Sequence, residues 1–376
     1  MAEADPNLRS LPLPDKVALV LQGGGALGSF QIGVFEALEE RGIALDWVAG
    51  ISIGAINSAL IAGNPPGQRM QALEAFWAET SSSQPSFPLI TGEQGREMLH
   101  EYSAAVVATT GVPGMFAPRW VPPAFAVPGS DGALSLYDTS PLRRTLDRLV
   151  DWDLLNSGPV RLSVGAVEVE SGNFCFFDTT ETRIDARHIM ASGALPPGLP
   201  PVEIDGKWWW DGGLVSNTPL THILDHQDED MLVFQVDLFP AANPVRPKTI
   251  TDVVARAKEI QFSSRTRQVT DMMLKLRGER EVIRNVLAKL PAAMKDDPDV
   301  MKLDALANER ALSLVQLIYR ANAWEGGSRD YEFSARTMRE HWLAGRAAVA
   351  ETMTKSSLLA RNILDGKTAA FDLVPG

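Results

Sequence analysis

The segment at 17–34, VALVLQGGGALGSFQIGV, constrains the fold more than any other part of the chain. A continuous apolar run leads through a glycine cluster into a helical pattern, which predicts a strand, a tight turn and a helix. A second apolar run, WVAGIS at 47–52, and a second helical pattern, GAINSALIAG at 54–63, follow. Because strand and helix alternate and both strands are apolar throughout, the sequence predicts an α/β fold with a mainly parallel sheet between two layers of helices.

The rest of the chain divides into regions of different character. Further apolar runs predict a hairpin at 160–178, strands at 207–213 and 231–239, and a short helix at 185–194. After Pro247 the apolar residues recur at helical spacing. The predicted division has three parts: a flexible N-terminus (1–15), an α/β catalytic domain (16–245) and a helical C-terminal region (246–376).

Residues 84–132 interrupt the α/β pattern with many prolines and apolar side chains, and this composition predicts an irregular insertion or lid. Two interpretations remain open here. The apolar side chains either contact an apolar ligand or interface, or pack back onto the body of the domain.

Composition excludes several classes of protein. The 376 residues carry a formal net charge of −12, which argues against nucleic acid as the main partner. A single cysteine, Cys175, excludes an intramolecular disulfide framework and fits a reducing compartment. The start of the chain does not have the pattern of a signal peptide, and no apolar run reaches membrane-spanning length. We therefore expect a cytoplasmic protein, and its oligomeric state stays open.

The second strand ends in GISIG at 50–54, which has the G-x-S-x-G spacing of a nucleophile elbow. Gly50 and Gly54 provide the space that the tight turn needs, and the turn exposes the hydroxyl of Ser52 at the edge of the sheet. Ser52 is therefore the candidate nucleophile. The alternative is an ordinary strand-to-helix loop with a capping serine.

A serine nucleophile requires donors for the oxyanion of its tetrahedral intermediate. The first glycine cluster follows a strand that we expect to neighbour the serine strand. The backbone N–H groups of Gly23, Gly24 and Gly25 are thus candidates for an oxyanion hole, and a helix that begins near Gly28 adds its positive dipole end.

The serine also requires a base, and none of the five histidines has a recognisable catalytic setting. Asp211 is better placed, because it follows an apolar strand and precedes Gly212 and Gly213. Burial beside the three preceding tryptophans would raise its pKa and improve it as a general base. An aspartate in an ordinary turn is the alternative.

These three stretches, in this order, resemble the patatin-like phospholipases over about residues 15 to 240. The resemblance implies a three-layer αβα sandwich and hydrolysis of lipid acyl esters by a dyad of Ser52 and Asp211, without cofactor or metal. The segment at 329–345 resembles the C-terminal extension of some bacterial members, and no role for it follows from the sequence.

One position departs from the family pattern. Leu27 stands where members often carry arginine or lysine, which weakens the prediction of a phosphate head group. A short-chain or polyhydroxyalkanoate-type ester hydrolase is therefore the alternative within the class of esterases.

Two alternatives belong to other classes. The spacing of Gly23, Gly25 and Gly28 also matches a dinucleotide-binding turn, but the second strand ends at Ser52 instead of at an acid that would bind ribose. A non-catalytic protein that binds lipid surfaces is the other alternative.

Two further features bear on partners. Residues 246–289 carry eleven basic and five acidic side chains. A basic amphipathic helix can make peripheral contact with an anionic membrane, but a solvated helix face or a contact with the acidic body of the protein explains the charge as well. His222 and His226 share a helix face without a third metal ligand, and we expect them at the surface.

Overall fold

The computed structural model describes residues 11–83, 92–242, 246–247, 249–321, 325 and 327–374. The first ten residues of the predicted flexible N-terminus lie outside this part of the chain, and so do residues 84–91 of the predicted insertion.

Eleven strands and twelve α-helices are present within the described residues. The strands are β1 (Lys16–Leu21), β2 (Trp47–Gly50), β3 (Ala117–Pro118), β4 (Tyr137–Asp138), β5 (Arg161–Glu168), β6 (Phe174–Asp178), β7 (Val202–Ile204), β8 (Lys207–Asp211), β9 (Met231–Asp237), β10 (Leu312–Ile318) and β11 (Ala369–Asp372). The helices are α1 (Ser29–Glu39), α2 (Ile53–Ala62), α3 (Arg69–Ser81), α4 (Glu93–Thr110), α5 (Ser140–Leu149), α6 (Trp152–Ser157), α7 (Ala186–Ser192), α8 (Leu220–Asp225), α9 (Ile250–Leu287), α10 (Pro298–Ala307), α11 (Ala335–Thr354) and α12 (Ser356–Leu364).

A mixed sheet forms the centre of the molecule. Among the described residues its strand order is β11-β10-β9-β1-β2-β5-β8-β7, and β6 pairs with β5. The strands from β11 to β5 are parallel, whereas β6, β7 and β8 pair in antiparallel fashion. The predicted α/β class, the mainly parallel sheet and the predicted hairpin of β5 and β6 are therefore confirmed.

The register of β1 and β2 brings the glycine cluster close to the elbow. Leu21, the last residue of β1, lies opposite Gly50, the last residue of β2. Because both strands run in the same direction, the segments that follow them emerge at the same edge of the sheet. This adjacency is the one that the sequence predicts.

The region after residue 245 contains more than the predicted helices. Helices α9 to α12 are present, but β10 and β11 extend the central sheet beyond β9, and the sequence analysis did not predict them. The β10 segment, LSLVQLI, is a short apolar run, and periodicity alone cannot distinguish such a run from a buried turn of helix. One sheet thus includes strands from both sides of the predicted boundary at 245.

The described part of the insertion is more regular than predicted. The 18-residue helix α4 occupies 93–110, where the sequence analysis predicts irregular structure. The prolines that suggested irregularity lie on either side of this helix, at 88 and 113, and none lies within it. After α4, the strands β3 and β4 pair as a two-stranded antiparallel ribbon.

Helix α11 packs directly against α1, the helix that follows the glycine cluster. A Cβ atom at Gly33 would collide with the carbonyl oxygen of Trp342, and one at Gly345 would collide with that of Phe30. The two backbones therefore approach each other closely. This contact fixes the C-terminal region against α1, the helix that follows the glycine cluster.

Candidate active site

Ser52 lies in a sharp turn between β2 and α2. Its backbone has φ 54° and ψ −121°, a conformation that residues other than glycine seldom adopt. A Cβ atom at Gly50 would collide with the carbonyl of Gly54, and one at Gly54 would collide with the carbonyl of Leu21. The two glycines are thus required by backbone contacts, and the turn has the strained geometry of a nucleophile elbow.

Two residues at the C-terminal end of α7, Ser192 and Gly193, lie beside Ser52. The Ser52 backbone N–H donates to the hydroxyl of Ser192 at 3.1 Å. A Cβ atom at Gly193 would lie 3.8 Å from the Ser52 hydroxyl oxygen, which is ordinary contact distance. Sequence reasoning missed both residues, because no motif marks them.

Asp211 lies at the end of β8 and contacts the serine. Asp211 is only 3% exposed, and its carboxylate accepts a hydrogen bond from the Gly213 N–H at 2.7 Å. Burial raises the pKa of Asp211 to about 6, although the hydrogen bond from Gly213 and the interaction with the Ser52 side chain act to lower it. A Cβ atom at Gly212 would lie 2.6 Å from the carbonyl oxygen of Gly165, so the turn after Asp211 requires glycine.

The predicted oxyanion glycines lie beside Ser52, but their N–H groups differ in what they bind. The Gly23 N–H donates to the backbone carbonyl of Asn217 at 3.2 Å, and the Asn217 side chain donates to the Gly23 carbonyl at 2.9 Å. In the described chain, the N–H groups of Gly24 and Gly25 have no backbone acceptor. Asn217 therefore fixes the loop, and the sequence analysis did not single it out.

The conformation of this loop depends on glycine at two further points. Gly25 has φ +57°, and a Cβ atom there would collide with the carbonyl oxygen of Asp330. A Cβ atom at Gly28 would contact the Ile53 side chain at 2.5 Å, so the turn between the loop and α1 packs closely on α2.

A cavity of about 130 Å³ opens at the serine and is lined mainly by apolar side chains. Ser52, Asp211, Gly23, Gly24 and Gly25 all contribute to its wall. The apolar residues of the wall are Ile53, Ile56, Met115, Phe116, Leu142, Leu195, Leu199, Phe239, Phe262 and Phe333.

The region after residue 245 supplies part of this wall. Lys258 and Asp330 line the cavity and form an ion pair, and the Lys258 ammonium lies 5.5 Å from the centre of the Tyr331 ring. Burial raises the pKa of Tyr331 to about 12, so its hydroxyl stays protonated at neutral pH. The sequence analysis assigned no role to these residues.

The structure shows where Leu27, the residue that departs from the family pattern, is placed. The Leu27 side chain is fully buried and does not line the cavity, so this position brings no charge to the site. Among the described residues of the cavity wall, Lys258 is the one cation.

The histidines take no part in the site. No histidine is present among the described residues that line the cavity. His222 is buried, not at the surface as expected, because its Nε2 atom lies 2.9 Å from a buried carboxylate oxygen of Asp178. Although burial acts to raise the pKa of Asp178, its hydrogen bonds to His222, Arg161 and Ser163 hold that pKa far below the usual range. No metal-binding group of side chains occurs in the described part of the chain.

Comparison with known families agrees with these observations. A family model described as "Patatin-like phospholipase" matches residues 19–224, which is more than half of the chain. The chain belongs to the patatin-like phospholipase family. A second model, described as "Patatin phospholipase", matches residues 260–363. The predicted resemblance is therefore confirmed, and it extends into the C-terminal region.

Curated relatives include "Lysophospholipase nte1" of Aspergillus terreus, which is 61% identical over 213 residues, or 55% of this chain and 11% of that protein. "Patatin-like phospholipase domain-containing protein 6" of Homo sapiens is 45% identical over 67 residues, or 18% of this chain and 5% of that protein. The chain thus spans about a tenth or less of the length of these relatives.

Among solved structures, human GIVD cytosolic phospholipase A2 aligns with a TM-score of 0.41 and 12% identity, over 97% of this chain and 61% of that one. VipD from Legionella pneumophila aligns with a TM-score of 0.34 and 16% identity, over 91% of this chain and 72% of that one. No helix within the described residues is long and apolar enough to cross a membrane.

Proposed function

We propose that the protein is a serine hydrolase of lipid acyl esters in which Ser52 is the nucleophile and Asp211 the general base. The observation that carries this proposal is that Ser52 and the buried carboxylate of Asp211 line the same apolar cavity and interact there. Membership of the patatin-like phospholipases supports a lipid as the substrate.

The reaction proceeds through an acyl-enzyme. Asp211 accepts the proton of Ser52 while the hydroxyl oxygen attacks the ester carbonyl carbon. When the tetrahedral intermediate collapses, the bond to the alcohol breaks, and the leaving alcohol takes the proton back from Asp211. The same carboxylate then removes a proton from water while the water oxygen attacks the acyl carbon. When this second intermediate collapses, the bond to Ser52 breaks, the acid is released, and Asp211 returns the proton to the Ser52 oxygen.

Two features suit the site to this reaction. With a pKa of about 6, Asp211 is ionised at neutral pH and is still a stronger base than a solvated aspartate. We assign the oxyanion to the N–H groups of Gly24 and Gly25, and not to that of Gly23, because Asn217 already accepts the Gly23 hydrogen bond.

The substrate that fits this wall has an apolar chain and a polar head. The aliphatic and aromatic side chains suit an acyl chain, and the pair of Lys258 and Asp330 suits a head that carries both an anionic oxygen and a hydroxyl. We therefore propose a phospholipase A or lysophospholipase activity, which agrees with the name of the Aspergillus terreus relative. The cation at Lys258 removes the main argument for the short-chain or polyhydroxyalkanoate alternative.

The test is hydrolysis of p-nitrophenyl esters from acetate to palmitate, and of lysophosphatidylcholine, by wild type, Ser52→Ala and Asp211→Asn. Both variants are expected to lose activity by at least about 1,000-fold while their circular dichroism is unchanged. Ser58→Ala is the matched control, because Ser58 is buried on the neighbouring helix α2 and does not line the cavity. An active Ser52→Ala variant would overturn the proposal, and hydrolysis of short esters alone would favour the short-chain alternative.

A further inference from the structure

The ribbon of β3 and β4 carries a segment, residues 119–136, that we call the apolar tip. Trp120 is fully exposed there, and Phe125 and Val127 are 81% and 74% exposed. Aromatic and aliphatic side chains are seldom presented to water together in one short segment without a binding partner. The exposed large apolar residues of the tip are Trp120, Val121, Phe125, Val127, Leu134 and Leu136.

The apolar tip is held in a defined shape. At its base the Arg119 N–H donates to the Leu136 carbonyl, and the Arg119 guanidinium donates to the Ser135 hydroxyl at 2.8 Å. Two short 3-10 turns, Pro123–Phe125 and Asp131–Ala133, pack against each other within it. These contacts keep the apolar side chains pointing outward, and so the exposure is a built feature of the fold.

The tip is also continuous with the wall of the active-site cavity. Tyr137 follows the tip directly and lines the cavity, as do Met115 and Phe116 on the other side of the ribbon. The backbone N–H groups of Leu136 and Tyr137 donate to the carbonyls of Pro197 and Gly198. The exposed side chains therefore stand beside the site of hydrolysis.

The charge of the tip indicates the kind of partner. Arg119 and Asp131 are the charged residues between 119 and 136, so the segment has no net charge. A neutral segment rich in tryptophan, phenylalanine and valine suits the boundary between lipid head groups and acyl chains, where aromatic rings concentrate. It does not have the basic character of a surface that binds anionic head groups electrostatically.

We propose that the apolar tip inserts into a lipid surface and thereby holds the mouth of the active site against the membrane that supplies its substrate. A lipid surface is favoured over a second protein because the tip adjoins a cavity that, under the proposed function, receives acyl chains. The role given to this contact rests on the proposed function. The insertion of the apolar tip into a lipid surface does not itself require catalysis.

The experiment measures sedimentation with neutral phosphatidylcholine vesicles in a Ser52→Ala background, so that no lipid is consumed. The double variant Trp120→Asp and Phe125→Asp is expected to bind vesicles at least ten-fold more weakly than its parent. Both side chains are exposed, so the fold should be unaffected. Leu364→Asp is the matched control, because Leu364 is 73% exposed at the end of α12, a helix that packs on β10.

Activity separates this inference from the proposed function. With Ser52 restored, the tip variant should hydrolyse soluble p-nitrophenyl butyrate at the wild-type rate and lose activity only on vesicles. Equal sedimentation of parent and variant, or a parent that does not sediment, would overturn the inference. It would also be overturned by vesicle binding that survives the tip substitutions, which would assign the contact to another part of the surface. A change in oligomeric state on gel filtration without a change in vesicle binding would identify the tip as a contact between copies of the chain.

Discussion

Asp211 has a raised pKa because it is buried, and this affects activity and stability in opposite directions. If Asp211 is the general base, as we propose, it must be ionised for the reaction, so kcat/KM on a soluble ester should rise tenfold per pH unit below about 6 and level off above it. A pH–rate profile under conditions where the protein stays folded checks this. A profile that is flat from pH 5 to pH 8 would contradict the assignment of Asp211 as base.

The stability of the folded protein should fall as the pH rises, in contrast to the activity. The folded pKa of about 6 exceeds the usual value of about 4, so the favourable contribution of Asp211 is complete below pH 4 and is lost as the pH rises through 6. Replacing Asp211 by Asn is therefore expected to abolish activity but to raise the free energy of unfolding at pH 8 by about 1–3 kcal/mol. Denaturant titration at pH 5 and pH 8 measures the difference.

Asp237 provides the matched control for both measurements. It is buried, burial raises its pKa to about 7, and it does not line the cavity at Ser52. Asp237→Asn should thus stabilise the protein at pH 8 and leave the pH–rate profile unchanged. If Asp237→Asn shifted the pH–rate profile, the titration seen in the wild type would not report on Asp211.

Local motifs explain which site residues sequence alone could identify. Ser52 and Asp211 each lie in a glycine turn whose spacing is visible over a few residues. Asn217 and Lys258 contribute through contacts with segments far away in the chain, and no local pattern marks such contacts. The sequence therefore predicts the reacting groups better than the residues that hold or surround them.

Among the elements, the crossing of α1 and α11 depends on the absence of two side chains. Gly345→Ala would force a methyl group against the carbonyl of Phe30, so we expect the free energy of unfolding to fall by at least about 2 kcal/mol. Because α1 follows the oxyanion glycines, activity on soluble esters should fall as well. Chemical denaturation and steady-state kinetics measure the two effects.

Gly278 is the control for this substitution. It lies within α9 with no neighbouring atom within 4 Å of an added Cβ. Gly278→Ala should therefore stabilise the protein by about 0.5–1 kcal/mol through helix propensity. Equal effects of the two substitutions would show that the α1–α11 contact is not closely packed.

The elements that the sequence analysis missed share a physical cause. Strand β10 and helix α4 have neighbours that are distant in sequence: β10 pairs with β9, and α4 contacts the 3-10 turn Arg329–Tyr331. By contrast, β1, β2 and their helices follow each other directly and were predicted. For β10 and α4, the local pattern did not reveal these distant partners.

For the whole molecule, the parallel sheet predicts the result of removing the C-terminal region. A chain that stops at residue 245 would leave β9 as an unprotected edge, although Val233 and Phe234 are fully buried in the intact protein. It would also lack Lys258, Asp330 and Tyr331 from the cavity wall. We expect this chain to aggregate on expression, as judged by solubility and gel filtration.

Whether the shortened chain needs the C-terminal region in order to fold can also be tested by supplying that region as a separate polypeptide. Co-expression of residues 246–376 as a separate polypeptide should increase the soluble yield of the shortened chain. If the shortened chain were soluble and fully active without that segment, residues 16–245 would be an independent catalytic domain, as the sequence analysis predicts. The outcome therefore decides between one folding unit and two.

The positions of the cavity residues along the chain also determine when the cavity is completed during synthesis. Ser52 is made before Tyr331, which follows 279 residues later, since 331 − 52 = 279. At translation rates of about 5–20 residues per second, the delay is roughly 15–60 s. During that time the nascent chain carries Ser52 without the finished cavity wall, so the complete cavity can form only after Tyr331 has been synthesised.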